Sequence, residues 1–206
     1  MYIELIDLLR CPRDHAESWL VAAFRSMDGR VVLEGKLGCP ICFSSFPIKG
    51  GVADLRVAGA SDYDFIAESF APQDDEAVRA AALMGLVKPG SLVVLSGESA
   101  RLAQKVSELT EARVIAFNPA MAVAESERVA VVLSNMRFPF ASGSVDGIIL
   151  NESTCAFVTD AARILRPGGR IVTPLDSLPP GNFRELARDD MVAVFELAGP
   201  LIPLSR

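Results

Sequence analysis

The stretch Leu86-Val87-Lys88-Pro89-Gly90-Ser91-Leu92-Val93-Val94-Leu95-Ser96-Gly97 decides the fold. Lys88-Pro89-Gly90 stops a helix, because proline cannot continue one and glycine suits the cap beyond its end. Residues 92–95 are apolar without interruption. A continuous run bounded by turn signals fits a strand covered on both faces. Working outward, the same texture returns in residues 114–117, 129–133, 147–150 and 171–173. Segments 100–109, 119–125 and 157–165 between these bursts suit helices, and so does the Ala-rich segment 76–86 before the first. Strand and helix in this rhythm predict an α/β fold with a doubly wound, mostly parallel sheet. Residues 191–197, Gly199-Pro200 and residues 201–204 predict a closing antiparallel hairpin. The segment 174–190 leaves room for only a small lid.

The first 57 residues read differently. A helical turn over residues 5–9 precedes Cys11-Pro12-Arg13-Asp14-His15, and a strand over 31–33 precedes Cys39-Pro40-Ile41-Cys42. Short extended pieces over 46–48 and 52–55 flank the Gly50-Gly51 turn. Two cysteines three apart on a tight turn can both face one Zn²⁺, and a tetrahedral site needs four such ligands. Cys11, Cys39 and Cys42 supply three. Either Asp14 or His15 completes the set; a metal-free module with buried cysteines is the alternative. The predicted organisation is a small β module over 1–57, a connector over 58–75 and the α/β domain over 76–206.

Two resemblances follow from these residues. Leu8-Leu9-Arg10-Cys11-Pro12, Gly38-Cys39-Pro40-Ile41-Cys42, Phe46-Pro47-Ile48 and Gly50-Gly51-Val52-Ala53-Asp54-Leu55 resemble the small zinc-ribbon activator subunit of RNA and protein methyltransferases. Residues 86–95, the block Phe138-Pro139-Phe140-Ala141-Ser142-Gly143-Ser144-Val145-Asp146 and residues 162–172 resemble class I S-adenosylmethionine (SAM) methyltransferases. The second resemblance implies a Rossmann-like methyltransferase sheet. It also implies a cofactor site at Gly97, Glu98 and Ser99 on the turn after the first parallel strand, Asn118 after the second, and Asn135 and Met136 after the third. Glycines are usual where Ser99 and Arg101 stand, and acids are usual where Leu95, Asn118 and Ser134 stand. A hydrogen bond to a charged group is worth about 1.5–3 kcal/mol, so losing two weakens SAM binding by about 3–6 kcal/mol. Weak or absent SAM binding is therefore expected. Glu98 can hold an ammonium or repel a carboxylate. Asn118-Pro119 also reads as an ordinary helix start.

Catalytic groups are sparse. The single histidine lies in the N-terminal module, and Tyr2 and Tyr63 lie outside the core of the second domain. Asn151-Glu152-Ser153-Thr154-Cys155 follows the fourth parallel strand; Glu152 is a candidate base or a helix-start charge. Three readings compete. They are a methyltransferase-fold binding or regulatory protein without SAM chemistry, an active methyltransferase with an atypical cofactor site, and a zinc-ribbon adaptor. A formal charge of −6 disfavours nucleic acid as partner. No apolar run reaches the roughly 18 residues that span a bilayer. The start of the chain carries acids where a secretion signal needs bases, so a cytoplasmic protein is expected, with a protein partner or a second copy of the chain as its ligand. The N-terminal module is expected to dock on a methyltransferase-like sheet by strand addition, through Phe43, Phe46 and Ile48.

Overall fold

Four short strands open the chain: β1 (Val21–Asp28), β2 (Val31–Gly38), β3 (Ser45–Lys49) and β4 (Val52–Asp54). Each pairs antiparallel with the next. The β3–β4 hairpin turns on Gly50 and Gly51, whose φ angles are 54° and 86°. Two successive left-handed residues are what a two-residue hairpin requires, and glycine supplies them without a Cβ clash. The computed structural model describes residues 1–57 and 73–199. Most of the expected connector, Tyr63 and residues 201–204 lie outside the described residues.

The second part holds α1 (Asp74–Met84), β5 (Leu92–Ser96), α2 (Ala103–Thr110), β6 (Arg113–Phe117), β7 (Val129–Leu133), β8 (Val145–Ile149), α3 (Val158–Ile164), β9 (Leu165–Pro174), β10 (Phe183–Arg188) and β11 (Val192–Leu197). Helix α1 begins with a reciprocal cap between Gln73 and Glu76 and ends on Gly85 at φ 67°. All eleven strands form one sheet in the order β1-β2-β3-β4-β7-β6-β5-β8-β9-β11-β10. Strands β4, β7, β6, β5, β8 and β9 run parallel, and β11 joins antiparallel to β9. The five expected parallel strands are all present.

Three expectations need correction. Among the described residues the closing hairpin is made by β10 and β11, so residues 191–197 pair with a strand that precedes them. Segment 174–190 therefore supplies a strand. Residues 119–125 form no helix, because Asn118 sits at φ 44° and bonds to Ser134, which turns the chain away from a helical path. Phe43 is 87 % exposed and takes no part in docking.

Docking itself is continuous pairing. Ala53 and Asp54 of β4 lie beside Val132 and Leu133 of β7, and Leu55 N–H donates to Leu133 C=O at 2.8 Å. Phe46 and Ile48 are buried in the same apolar cluster as Phe117, Phe138 and Phe140. One face of the parallel sheet is covered by α1 and α2, through Ala77, Ala80, Met84, Ala103 and Val106. The other face is covered by α3, by Phe138 and Phe140, and by Met1, Tyr2, Leu5 and Leu9. Among the described residues, the N-terminal segment shares the covering of this face with α3. Removing so much apolar area from water drives the two parts together.

Candidate functional site

Strand order reverses between β5 and β8, which are neighbours although β6 and β7 intervene in sequence. Ligands of such sheets bind at the carboxyl ends of the strands at that reversal. Gly97 follows β5, and Asn151 lies just past the end of β8. Among the described residues, two of the clefts that open at this end bear on the expected cofactor site. One, of about 430 Å³, is lined by Glu98, Ser99, Asn151, Glu152, Ser153 and Met191 among others. The second, of about 390 Å³, is lined by Arg56, Asn118, Ser134, Asn135, Ser153, Thr154 and Phe157. Ser153 borders both.

The structure splits the expected cofactor residues between these clefts. Glu98 and Ser99 face the first; Asn118 and Asn135 face the second. Gly97 is buried beneath Asn151 and Ser153. Met136 lines neither cleft and is 45 % exposed. Most of the polar groups are engaged. Asn118 Nδ2 donates to Ser134 C=O at 2.7 Å, and Ser134 N–H donates to Asn118 Oδ1 at 2.9 Å. Asn135 Oδ1 accepts from Val57 N–H at 3.0 Å. Arg101 donates twice to Glu76, at 2.8 and 2.6 Å, clasping the start of α1. That guanidinium pulls the Glu76 carboxyl down to about 2. Leu95 is fully buried in the core. One polar atom is left over: Ser134 Oγ is buried without a partner.

A knot that sequence reasoning passed over lies between the clefts. Ser96 Oγ donates to Ile149 C=O and meets Thr154 Oγ1, both at 2.7 Å. Thr154 Oγ1 also contacts Asn151 Oδ1 at 2.8 Å. The signal in the sequence was the polar run Asn151–Thr154 directly after an apolar strand. The carboxylates beside this knot are Glu98 and Glu152. Cys155 donates to Glu152 C=O at 3.1 Å.

The second constellation joins Cys11, His15, Cys39 and Cys42, whose donor atoms all lie within 4.8 Å of one another. Cys11 Sγ and Cys42 Sγ are 3.7 Å apart, and Cys39 Sγ is 3.4 Å from His15 Nε2. A tetrahedral Zn²⁺ with ordinary bond lengths spaces two sulfurs by about 3.8 Å and a sulfur and nitrogen by about 3.5 Å. The residues therefore fit the ion. His15 Nδ1 lies 2.7 Å from Ala16 C=O, an outer contact that would fix the ring. Ser44 and the nearby cluster groups hold the Cys42 thiol down to about 6, while burial pushes Cys11 up to about 12. Asp14 is outside the cluster: its side chain is almost fully exposed and pairs with Arg137 at 3.7 Å. The cluster sits against the second part of the chain. Arg10 N–H donates to Pro139 C=O at 2.8 Å, and Ala141 N–H donates to Leu8 C=O at 2.9 Å.

No family model and no curated protein matches the sequence. Solved structures do. A geranyl diphosphate C-methyltransferase from Streptomyces coelicolor A3(2) is 22 % identical with a TM-score of 0.40, over 48 % of this chain and 42 % of that one. Phosphoethanolamine N-methyltransferase 2 of Haemonchus contortus is 18 % identical with a TM-score of 0.40, over 48 % of this chain and 28 % of that one. The [4+2]-cyclase SpnF is 15 % identical with a TM-score of 0.40, over 48 % of this chain and 44 % of that one. Each match spans less than half of the other protein. The strand order, with its antiparallel last-but-one member and mostly parallel centre, is that of an α/β, Rossmann-like fold. No helix among the described residues is long and apolar enough to cross a membrane.

Proposed function

We propose that this chain is a methyltransferase-fold binding or regulatory protein in which the cofactor site has been rebuilt into internal contacts. The carrying observation is the closed pair of bonds between Asn118 and the Ser134 backbone. The Asn118 side chain, expected in the cofactor site, already uses one N–H and one oxygen lone pair within the protein. Leu95 in the core and Arg101 clasped to Glu76 support the same conclusion at two further positions. The ligand of such a protein is another protein or a second copy of the chain. Cys11, His15, Cys39 and Cys42 hold one Zn²⁺, which fixes a ribbon-like module as a built-in activator docked through β4 along β7. The ion does no chemistry here; it ties the segment after residue 10 to the turn between β2 and β3.

Titration calorimetry with SAM tests the main point. The expected affinity is no better than high micromolar to millimolar, about 4–5.5 kcal/mol of binding free energy. Low-micromolar binding overturns the proposal and favours an active enzyme. One observation supports that second reading: a cleft with Glu98 and Glu152 at its rim lies where an α/β sheet binds ligands.

A further inference from the structure

The crevice at the β5–β8 reversal is filled by the protein itself. Gly97 has φ 54° and no side chain. A Cβ there would stand 2.5 Å from Asn151 Nδ2, 2.6 Å from Asn151 Oδ1 and 2.7 Å from Ser153 Oγ. The hollow that a glycine leaves open for a close approach is therefore taken by the amide of Asn151. The amide is also bonded. Nδ2 donates to Ser96 C=O at 3.4 Å, and Oδ1 accepts from Ser153 Oγ at 2.9 Å and Thr154 Oγ1 at 2.8 Å. The Gly97 carbonyl is taken as well, by Ala120 N–H at 3.2 Å. Asn151 lines the cleft of Glu98 and Glu152, and that cleft meets the cleft of Asn118 and Phe157 at Ser153. A group that fills the glycine hollow and binds the carbonyl at the end of a strand occupies the position of a ligand.

We propose that Asn151 is a specificity-determining plug. It divides one through-going cleft into two and shuts out any ligand that must lie across Gly97 to reach both halves. The excluded class is an elongated molecule with a flat polar end, suited to the cleft of Phe157, Ser134 and Asn135, and an amine end, suited to Glu98. SAM and its demethylated product belong to that class. The inference rests on the proposed loss of the cofactor site and names the residue that keeps it closed.

Calorimetry with S-adenosylhomocysteine and SAM on the full chain, wild type and Asn151→Ala, tests it. The expected result is weak binding to wild type and binding tighter by about tenfold or more to the variant. Tight wild-type binding removes both the rebuilt site and the plug. Weak binding to both proteins removes the plug alone and leaves the rebuilt site standing. Asn151→Ser keeps an oxygen near Thr154, carries the same expectation, and serves if the alanine variant does not fold. A ligand-free measurement tests the geometry directly. Gly97→Ala should lower the melting temperature more in wild type than in the Asn151→Ala or Asn151→Ser background. Backbone strain at positive φ is common to every background, so the difference isolates the contact. Equal shifts in all of them overturn the plug.

Discussion

At the scale of single residues, this protein answers a chemical question with small polar side chains. Asn118 is the clearest. Changing it to Asp restores the acid usual after the second parallel strand, but a carboxylate cannot donate to Ser134 C=O, which lies 2.7 Å away. Asn118→Asp should therefore cost about 1–3 kcal/mol of stability and bring no gain in SAM affinity; denaturant melts with parallel calorimetry check both halves. The clasp between Glu76 and Arg101 makes a pH prediction. The carboxyl is held at about 2, below its ordinary value of 4.5. A depressed carboxyl stabilises the fold above its unfolded value, and that contribution is lost as the pH falls through the folded value. The melting temperature of wild type should thus exceed that of Glu76→Gln above pH 4.5, with the gap closing toward pH 2. A gap that stays constant over that window would dismiss the clasp.

At the scale of elements, the Cys11–His15 and Cys39–Cys42 turns act as a clip whose nearest support is residues 139–141. On the proposed zinc site, adding a chelator, or replacing Cys39 with Ser, should raise hydrogen exchange in residues 8–19 and 137–142 together. Metal analysis of the untreated protein should give about one zinc per chain. Exchange that changes only in the first segment would show that the clip does not reach the second. The parallel strands were legible in the sequence because they are buried on both faces and so read as unbroken apolar runs, as β5 and β7 do. Strands β1 and β10 were not. They lie at the two ends of the sheet, are mostly exposed, and carry no apolar alternation. The cysteines were legible through their spacing, and the choice of His15 over Asp14 was not, because it depends on which side chain the turn aims inward. Asn118-Pro119 carried a helix-start pattern, yet a bond to Ser134 sixteen residues away redirected the chain. The contact of Asn151 with Gly97 was illegible for the same reason: it exists only once β5 and β8 are neighbours.

At the scale of the whole molecule, the shared sheet and the common cluster around Phe46, Phe117 and Phe138 predict a single unfolding transition. The lone tryptophan, Trp19, lies beside the N-terminal strands and reports on them, while far-ultraviolet circular dichroism reports on the helices of the second part. The two signals should lose structure at the same urea concentration. Phe46→Ala should move both midpoints down by the same amount, corresponding to about 3–5 kcal/mol; a shift in the tryptophan signal alone would count against the shared core. The pairing of β4 with β7 also sets a timetable for biosynthesis. Strand β4 leaves the ribosome early, but the Val132-Leu133 segment that completes it is made about eighty residues later, and at about 5–20 residues per second the wait is several seconds. During that interval the newborn chain offers a bare strand edge, which makes it a natural client for ribosome-bound chaperones and ties its yield to the speed of translation between those two points.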